Sequence, residues 1–147
     1  MVKMGPQASS MTTITSFDRL VRAVEDHPGT VYLRYSHGPD ADTDGHPSHD
    51  YESGAQLPGL SVTILSPEPW WDRPTADWIA RRVCKYAELG ERDDRQPWLL
   101  AGAVVGRGPD HEPLVGEFQP LAWVDGAVVE QAREHYHARF EVGRTSR

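Results

Sequence analysis

The sequence predicts an α+β fold: a mixed or antiparallel central sheet with about three helices, in a single domain. Three observations carry this. Helical and strand-like runs follow in the order α, β, β, α, β, β, α, without the regular βαβ repeat of a parallel sheet. One strand-like run alternates apolar and polar residues, while another is almost wholly apolar, so the strands differ in how they are covered. The chain has 147 residues, enough for one domain with a substantial core.

Residues 1–14 are small, polar and unpatterned, and read as a disordered tail ahead of a globular domain over residues 15–142. Ser16 reads as the N-cap of a first helix, because Phe17, Leu20, Val21 and Val24 follow at helical spacing and Asp18 sits at the favourable end of the helix dipole. Pro28-Gly29 ends it, and the β-branched and aromatic run Val31 to Ser36 reads as a strand. Residues 37–58 read as a long polar loop. Gly59 to Leu65 reads as a second strand, in which Leu60, Val62 and Ile64 alternate with Ser61 and Thr63. Pro74 near N1 starts a helix that shows Trp78, Ile79, Arg82, Val83 and Tyr86 on one face and ends about Gly90. Glu91 to Gln96 reads as a charged surface loop. Trp98 to Val105 reads as a central strand covered on both faces. Leu114 to Val115 and Phe118 to Val124 read as a further strand or hairpin, and Val128 to Phe140 as a closing helix. Residues 143–147 read as a frayed basic tail.

Hydrophobic residues make up 38% of the chain and charged residues 25%, which describes a globular protein rather than a disordered one. The net charge of −7 argues against binding to a nucleic-acid backbone, which needs a basic face. Arg73, Arg81, Arg82 and Lys85 form one local basic group, read as the solvated face of a helix. The single cysteine, Cys84, rules out an intrachain disulfide and reads as a buried structural thiol on an apolar helical pattern. No apolar run reaches the roughly 20 residues needed to span a membrane, and no apolar segment follows Lys3 as a secretory signal would require. A cytoplasmic protein is therefore expected.

The strand-like runs ending at Ser36 and near Gly106 both lead into the tripeptide Gly-Pro-Asp, at residues 38–40 and 108–110. Glycine permits a positive φ, proline fixes φ and aspartate bonds its own backbone, so each copy stops a strand and holds polar groups at its end. Asp40-Ala41-Asp42-Thr43-Asp44-Gly45 matches the first half of a calcium loop. The second half fails, because Tyr51 takes the place of the bidentate acid and Glu52 falls one residue late. His37, His46 and His49 scatter over the same loop without helical spacing, so no metal site is expected. No phosphate-binding glycine motif, Walker lysine or serine-nucleophile elbow is present.

Three polar positions stand out. Arg34 lies in an apolar strand, where a cation needs either a structural partner (Asp50, Asp110 or Glu112) or a ligand. Ser61 opens the second strand, and Glu112 follows the second Gly-Pro-Asp. Trp70, Trp71, Trp78, Trp98 and Trp123 read as a core and helix-docking cluster, or as an aromatic wall for a planar ligand, with Trp70-Trp71 nearest a cleft.

Arg34-Tyr35-Ser36-x-Gly38-Pro39-x-x-Asp42, Ser48-x-Asp50, Leu57-Pro58-Gly59-Leu60-Ser61, Glu68-Pro69-Trp70-Trp71 and Gly106-Arg107-Gly108-Pro109-Asp110-x-Glu112-Pro113-Leu114 together resemble a family of short actinobacterial proteins without an assigned function. His111 stands where that pattern has asparagine. At the level of residue order, Arg34, Ser61 and Glu112, with a helix between the last two, are similar to small ADP-ribosyltransferases. That resemblance implies NAD as cofactor and Arg34, Ser61 and Glu112 as catalytic residues. Arg34 would hold the pyrophosphate, Ser61 the nicotinamide ribose or amide, and Glu112 a ribose hydroxyl. Ser36, Asp50, Trp70, Trp71 and Asp110 would complete the NAD pocket. Ser61-Val62-Thr63 stands in place of the usual Ser-Thr-Ser, and the paired glutamates are absent. The alternative is a non-catalytic binding or regulatory protein, acting on a small-molecule ligand or protein partner. A homodimer through the last helix is compatible with either.

Overall fold

In the computed structural model, which describes residues 11–43, 53, 56–87 and 95–140, Ser16 caps the first helix as its sequence implies. Its Oγ accepts from the backbone N–H of Arg19, and α1 runs Phe17–Asp26 with Phe17, Leu20 and Val24 buried. The Phe17 N–H has no partner within the helix and donates instead to Gln131 Oε1 at 2.8 Å. β2 is Tyr32–Ser36, and the second strand breaks at Val62 into β3 (Leu60–Ser61) and β4 (Thr63–Ile64). α3 is Thr75–Lys85, with Pro74 at the N-cap. β5 (Gln96–Arg107) and β6 (Pro113–Val124) form a long hairpin, and α4 (Gly126–Phe140) closes the domain.

Two elements lie where the sequence suggested none. Thr13–Ile14, assigned to the N-terminal tail, forms β1, which pairs in parallel with Trp123 and Val124. The pairing puts Ile14 against the core, so the ordered domain starts earlier than its apolar pattern indicates. The start of the polar loop is α2, Pro39–Thr43, where proline at the first helical position fixes φ at a helical value. Residues 44–52 of that loop, together with 54 and 55, and residues 88–94 after α3, lie outside the described residues.

The sheet order is β1-β6-β5-β2-β4, antiparallel apart from β1. β3 pairs with the start of β6, at Leu60↔Val115 and Ser61↔Leu114, while β4 pairs with β2. The Leu60–Ile64 stretch thus bridges two non-adjacent strands and curls the sheet. Three register shifts between β5 and β6 supply the bend. The curl encloses Tyr32, Leu60, Val62, Trp98, Leu100 and Val115 on its inner face. The outer face carries the larger core, where Val31, Leu33, Tyr35 and Leu99 pack against α1, α3 and α4. β5 is covered on both faces only over Pro97–Leu100. Val104 and Val105 are 42% and 52% exposed, because the hairpin outruns its neighbour β2. No helix among the described residues is long and apolar enough to cross a membrane.

Candidate functional site

Side chains alternate along β2. Leu33 and Tyr35 point to the helices, so Tyr32, Arg34 and Ser36 point into the curl. A guanidinium there needs acceptors, and the first copy of Gly-Pro-Asp provides them. Gly38 takes φ 116°, and a Cβ at this position would lie 2.8 Å from the Trp123 ring, so only glycine turns the chain here. The turn starts α2 and brings Asp42 back over Arg34. Arg34 Nε donates to Asp42 Oδ2 at 2.7 Å, Nη2 to Asp42 Oδ1 at 3.3 Å, and Nη1 to the Ser61 carbonyl at 2.7 Å. The pair is bidentate and almost dry, with side chains 13% and 5% exposed.

Ser36 extends the network. Its hydroxyl donates to Asp42 Oδ2 at 2.8 Å and accepts from Trp98 Nε1 at 2.9 Å and the Gly38 N–H at 3.1 Å. One donor and two acceptors are all a hydroxyl has, so Ser36 is saturated. On the other side of Arg34, Ser61 Oγ donates to Glu112 Oε2 at 2.7 Å, and Glu112 Oε1 accepts from the Asp110 N–H at 3.0 Å.

The second Gly-Pro-Asp therefore does a different job from the first. It forms the β5–β6 turn, with Gly108 N–H bonded to the Glu112 carbonyl at 2.9 Å and His111 at φ 63°. A Cβ on Gly108 would collide with the Glu112 carboxylate, so glycine makes room for the acid.

Arg34, Ser61 and Glu112 thus meet in one hydrogen-bonded chain, joined by Ser36 and the Asp110 backbone. Among the described residues the ion pair of Arg34 is with Asp42, not with Asp110 or Glu112, and Asp50 lies outside the described residues. Asp42 was assigned to a calcium-like run. In the fold it is helical and committed to Arg34, and Asp44 lies outside the described residues. Its sequence signal was the glycine-proline turn at residues 38–39, which can fold an acid eight residues after Arg34 back over the strand.

Trp70 and Trp71 do not line this network. They pack edge-to-face with Trp78 at centroid distances of 5.6 and 5.2 Å, against the helical core on the opposite face of the sheet. The tryptophans beside the network are Trp98, through its N–H, and Trp123, through Gly38.

A second polar centre joins α3 to α4. Asp77 is 1% exposed, and its Oδ1 meets His135 Nε2 at 2.8 Å and Arg139 Nε at 3.3 Å, while Oδ2 meets Arg73 Nη2 at 3.1 Å. Burial pushes its carboxyl up, but the His135 hydrogen bond and the charges of Arg139 and Arg73 outweigh this and hold it below its usual range. Burial pushes the Cys84 thiol up, which fits a structural cysteine.

A groove of about 660 Å³ lies between α1 and the sheet, floored by Ile14, Val31, Leu99 and Leu121 and rimmed by Arg19 and Arg22. Among the described residues no three His, Cys, Asp or Glu side chains converge to hold a metal ion.

The chain belongs to a family of unknown function (DUF6098), whose model matches residues 7–146. No match was found among curated proteins or among solved structures.

Proposed function

We propose that this protein works by binding, as a non-catalytic or regulatory module, and that the Arg34–Asp42 network holds its fold rather than a substrate. The observation that carries this reading is the bidentate Arg34–Asp42 pair, closed by the Ser61 carbonyl. A guanidinium whose charge is met by a buried carboxylate is a poor anchor for a pyrophosphate, since binding would have to break that pair first.

The same geometry argues against NAD. The residues that would hold it do not fit the group: Arg34 is neutralised, Ser36 is saturated, Ser61 is tied to Glu112, and Trp70 and Trp71 lie across the sheet from all of them. Only the 2.7 Å contact between Ser61 Oγ and Glu112 Oε2 speaks for an ADP-ribosyltransferase-like site.

A ligand-observed NMR titration of NAD, followed overnight, decides between the two. No saturation transfer to the nicotinamide and adenine protons at millimolar NAD, and no released nicotinamide, is the expected result. Transfer that disappears in an Arg34→Ala variant with unchanged circular dichroism would reverse the reading.

A further inference from the structure

The strongest unassigned surface is the corner where the Trp70-Trp71 segment meets α3. Among the described residues Trp70 is the most exposed large apolar side chain, at 70% against 52% for Val105 and 42% for Val104. It is also held in place, edge-to-face with Trp71 at 6.1 Å and Trp78 at 5.6 Å. A large ring kept rigid and wet is the kind of side chain that anchors protein interfaces, because little entropy is lost when it is covered.

Cations stand over the rings that hold it and over Phe140. Arg81 stands over the Trp71 ring at 5.9 Å and the Phe140 ring at 5.6 Å, and Arg82 over Trp78 at 4.8 Å. Lys85 follows Arg81 by one turn, on the exposed side of α3. Among the described residues, none of the three has a carboxylate within ion-pair distance. Asp77, the acid of α3, is buried and consumed by Arg73, His135 and Arg139. Among the described residues, a chain of net charge −7 therefore carries three cations without an ion-pair partner on the helix beside an exposed tryptophan, which Glu68 and Asp72 flank in sequence.

Charge complementarity asks for an anionic partner, and the dimensions of the patch select its kind. Arg81 to Lys85 spans about one helical turn, ~6 Å of axis. Nucleic-acid binding draws on many phosphate contacts along a basic stripe of a basic domain. Beyond this corner such a polyanion would meet an acidic molecule. A peptide with a few carboxylates around one apolar side chain stays within the patch, since attraction is screened beyond about 8 Å at physiological salt. We infer that Trp70, Arg81, Arg82 and Lys85 form a docking surface for an acidic peptide segment of a partner protein, whose apolar residue packs on the Trp70 ring. The inference names the partner class for the binding function proposed above, and rests on that reading.

The test is fluorescence anisotropy with three labelled probes of equal length: a glutamate-rich peptide with a central leucine, its glutamine counterpart, and oligothymidylate. The glutamate peptide is expected to bind and the other two to bind at least about tenfold more weakly. Trp70→Ala, and separately the exposed pair Arg81→Glu with Lys85→Glu, should each cost about tenfold or more in Kd, with unchanged circular dichroism. Arg22→Glu, on α1 and outside the patch, should leave binding intact. Equal binding of the glutamine peptide, preference for oligothymidylate, indifference to both patch variants, or peptide-independent self-association abolished by Trp70→Ala would each overturn the inference. NAD binding bears on the proposed function alone, so the two ideas fail separately.

Discussion

Arg34 Nε and Asp42 Oδ2 lie 2.7 Å apart on the inner face of the curled sheet, where both side chains are withdrawn from solvent. The pair fastens the short helix α2 to β2, and through the Ser61 carbonyl it fastens β2 to β3. Two neighbouring segments, β2 and α2, and the more distant β3 are thereby locked around one guanidinium.

Removing either partner strands the other. Arg34→Ala and Asp42→Ala should each lower stability by about 3–5 kcal/mol, because an uncompensated buried charge remains. An Arg34→Met, Asp42→Leu double variant should recover much of that loss, since apolar side chains of similar volume carry no desolvation penalty. Urea denaturation of the three variants checks this; additive losses in the double variant would show that the residues do not act as a pair.

Ser36→Ala leaves the Trp98 indole N–H and the Gly38 N–H without their acceptor in a buried setting. The expected loss is about 1–3 kcal/mol by denaturant titration. A blue shift of the tryptophan emission should accompany it, because Trp98 is fully buried and loses its polar partner.

Much of the architecture was legible because it depends on periodicity. The spacing of Phe17, Leu20 and Val24, and the alternation from Leu60 to Ile64, are set by which face each element buries. β1 was hidden because Thr13–Ile14 is too short for any pattern, and only its pairing with Trp123–Val124 makes it a strand. Arg34, Ser61 and Glu112 stand out in the sequence as polar residues within or beside strands. The identity of Asp42 as the partner was not, because it depends on the path of the chain through Gly38. The side on which Trp70 and Trp71 lie was equally hidden, since a Pro-flanked segment has no periodicity from which to read a face.

Cys84 should react slowly. Burial raises its thiol above the ordinary value, which lowers the thiolate fraction at neutral pH. With a disulfide-exchange reagent at pH 7.5, labelling of the native protein should lag well behind that of the urea-unfolded chain. Equal rates would mean that α3 opens readily on the side facing the core.

Asp77 makes stability depend on acid. Its carboxyl is held below the ordinary range in the folded state, so the unfolded chain binds the proton more readily. A depressed folded pKa contributes stability that is present above the unfolded value, near 3.9, and is lost as pH falls through the folded value. At pH 7 the Asp77→Asn variant should be less stable by about 1–3 kcal/mol, because Arg73 and Arg139 lose their shared counter-ion and His135 its carboxylate partner, while these half-exposed groups regain water. As pH falls below about 4 the wild-type protein loses this advantage while the variant has none to lose, so the two stabilities should converge. Urea midpoints for both proteins between pH 7 and pH 2.5 measure the gap. A gap constant down to the lowest pH would mean that Asp77 remains charged for reasons that Arg73, Arg139 and the His135 hydrogen bond do not supply. A gap that widens with acid would contradict the sign of the linkage.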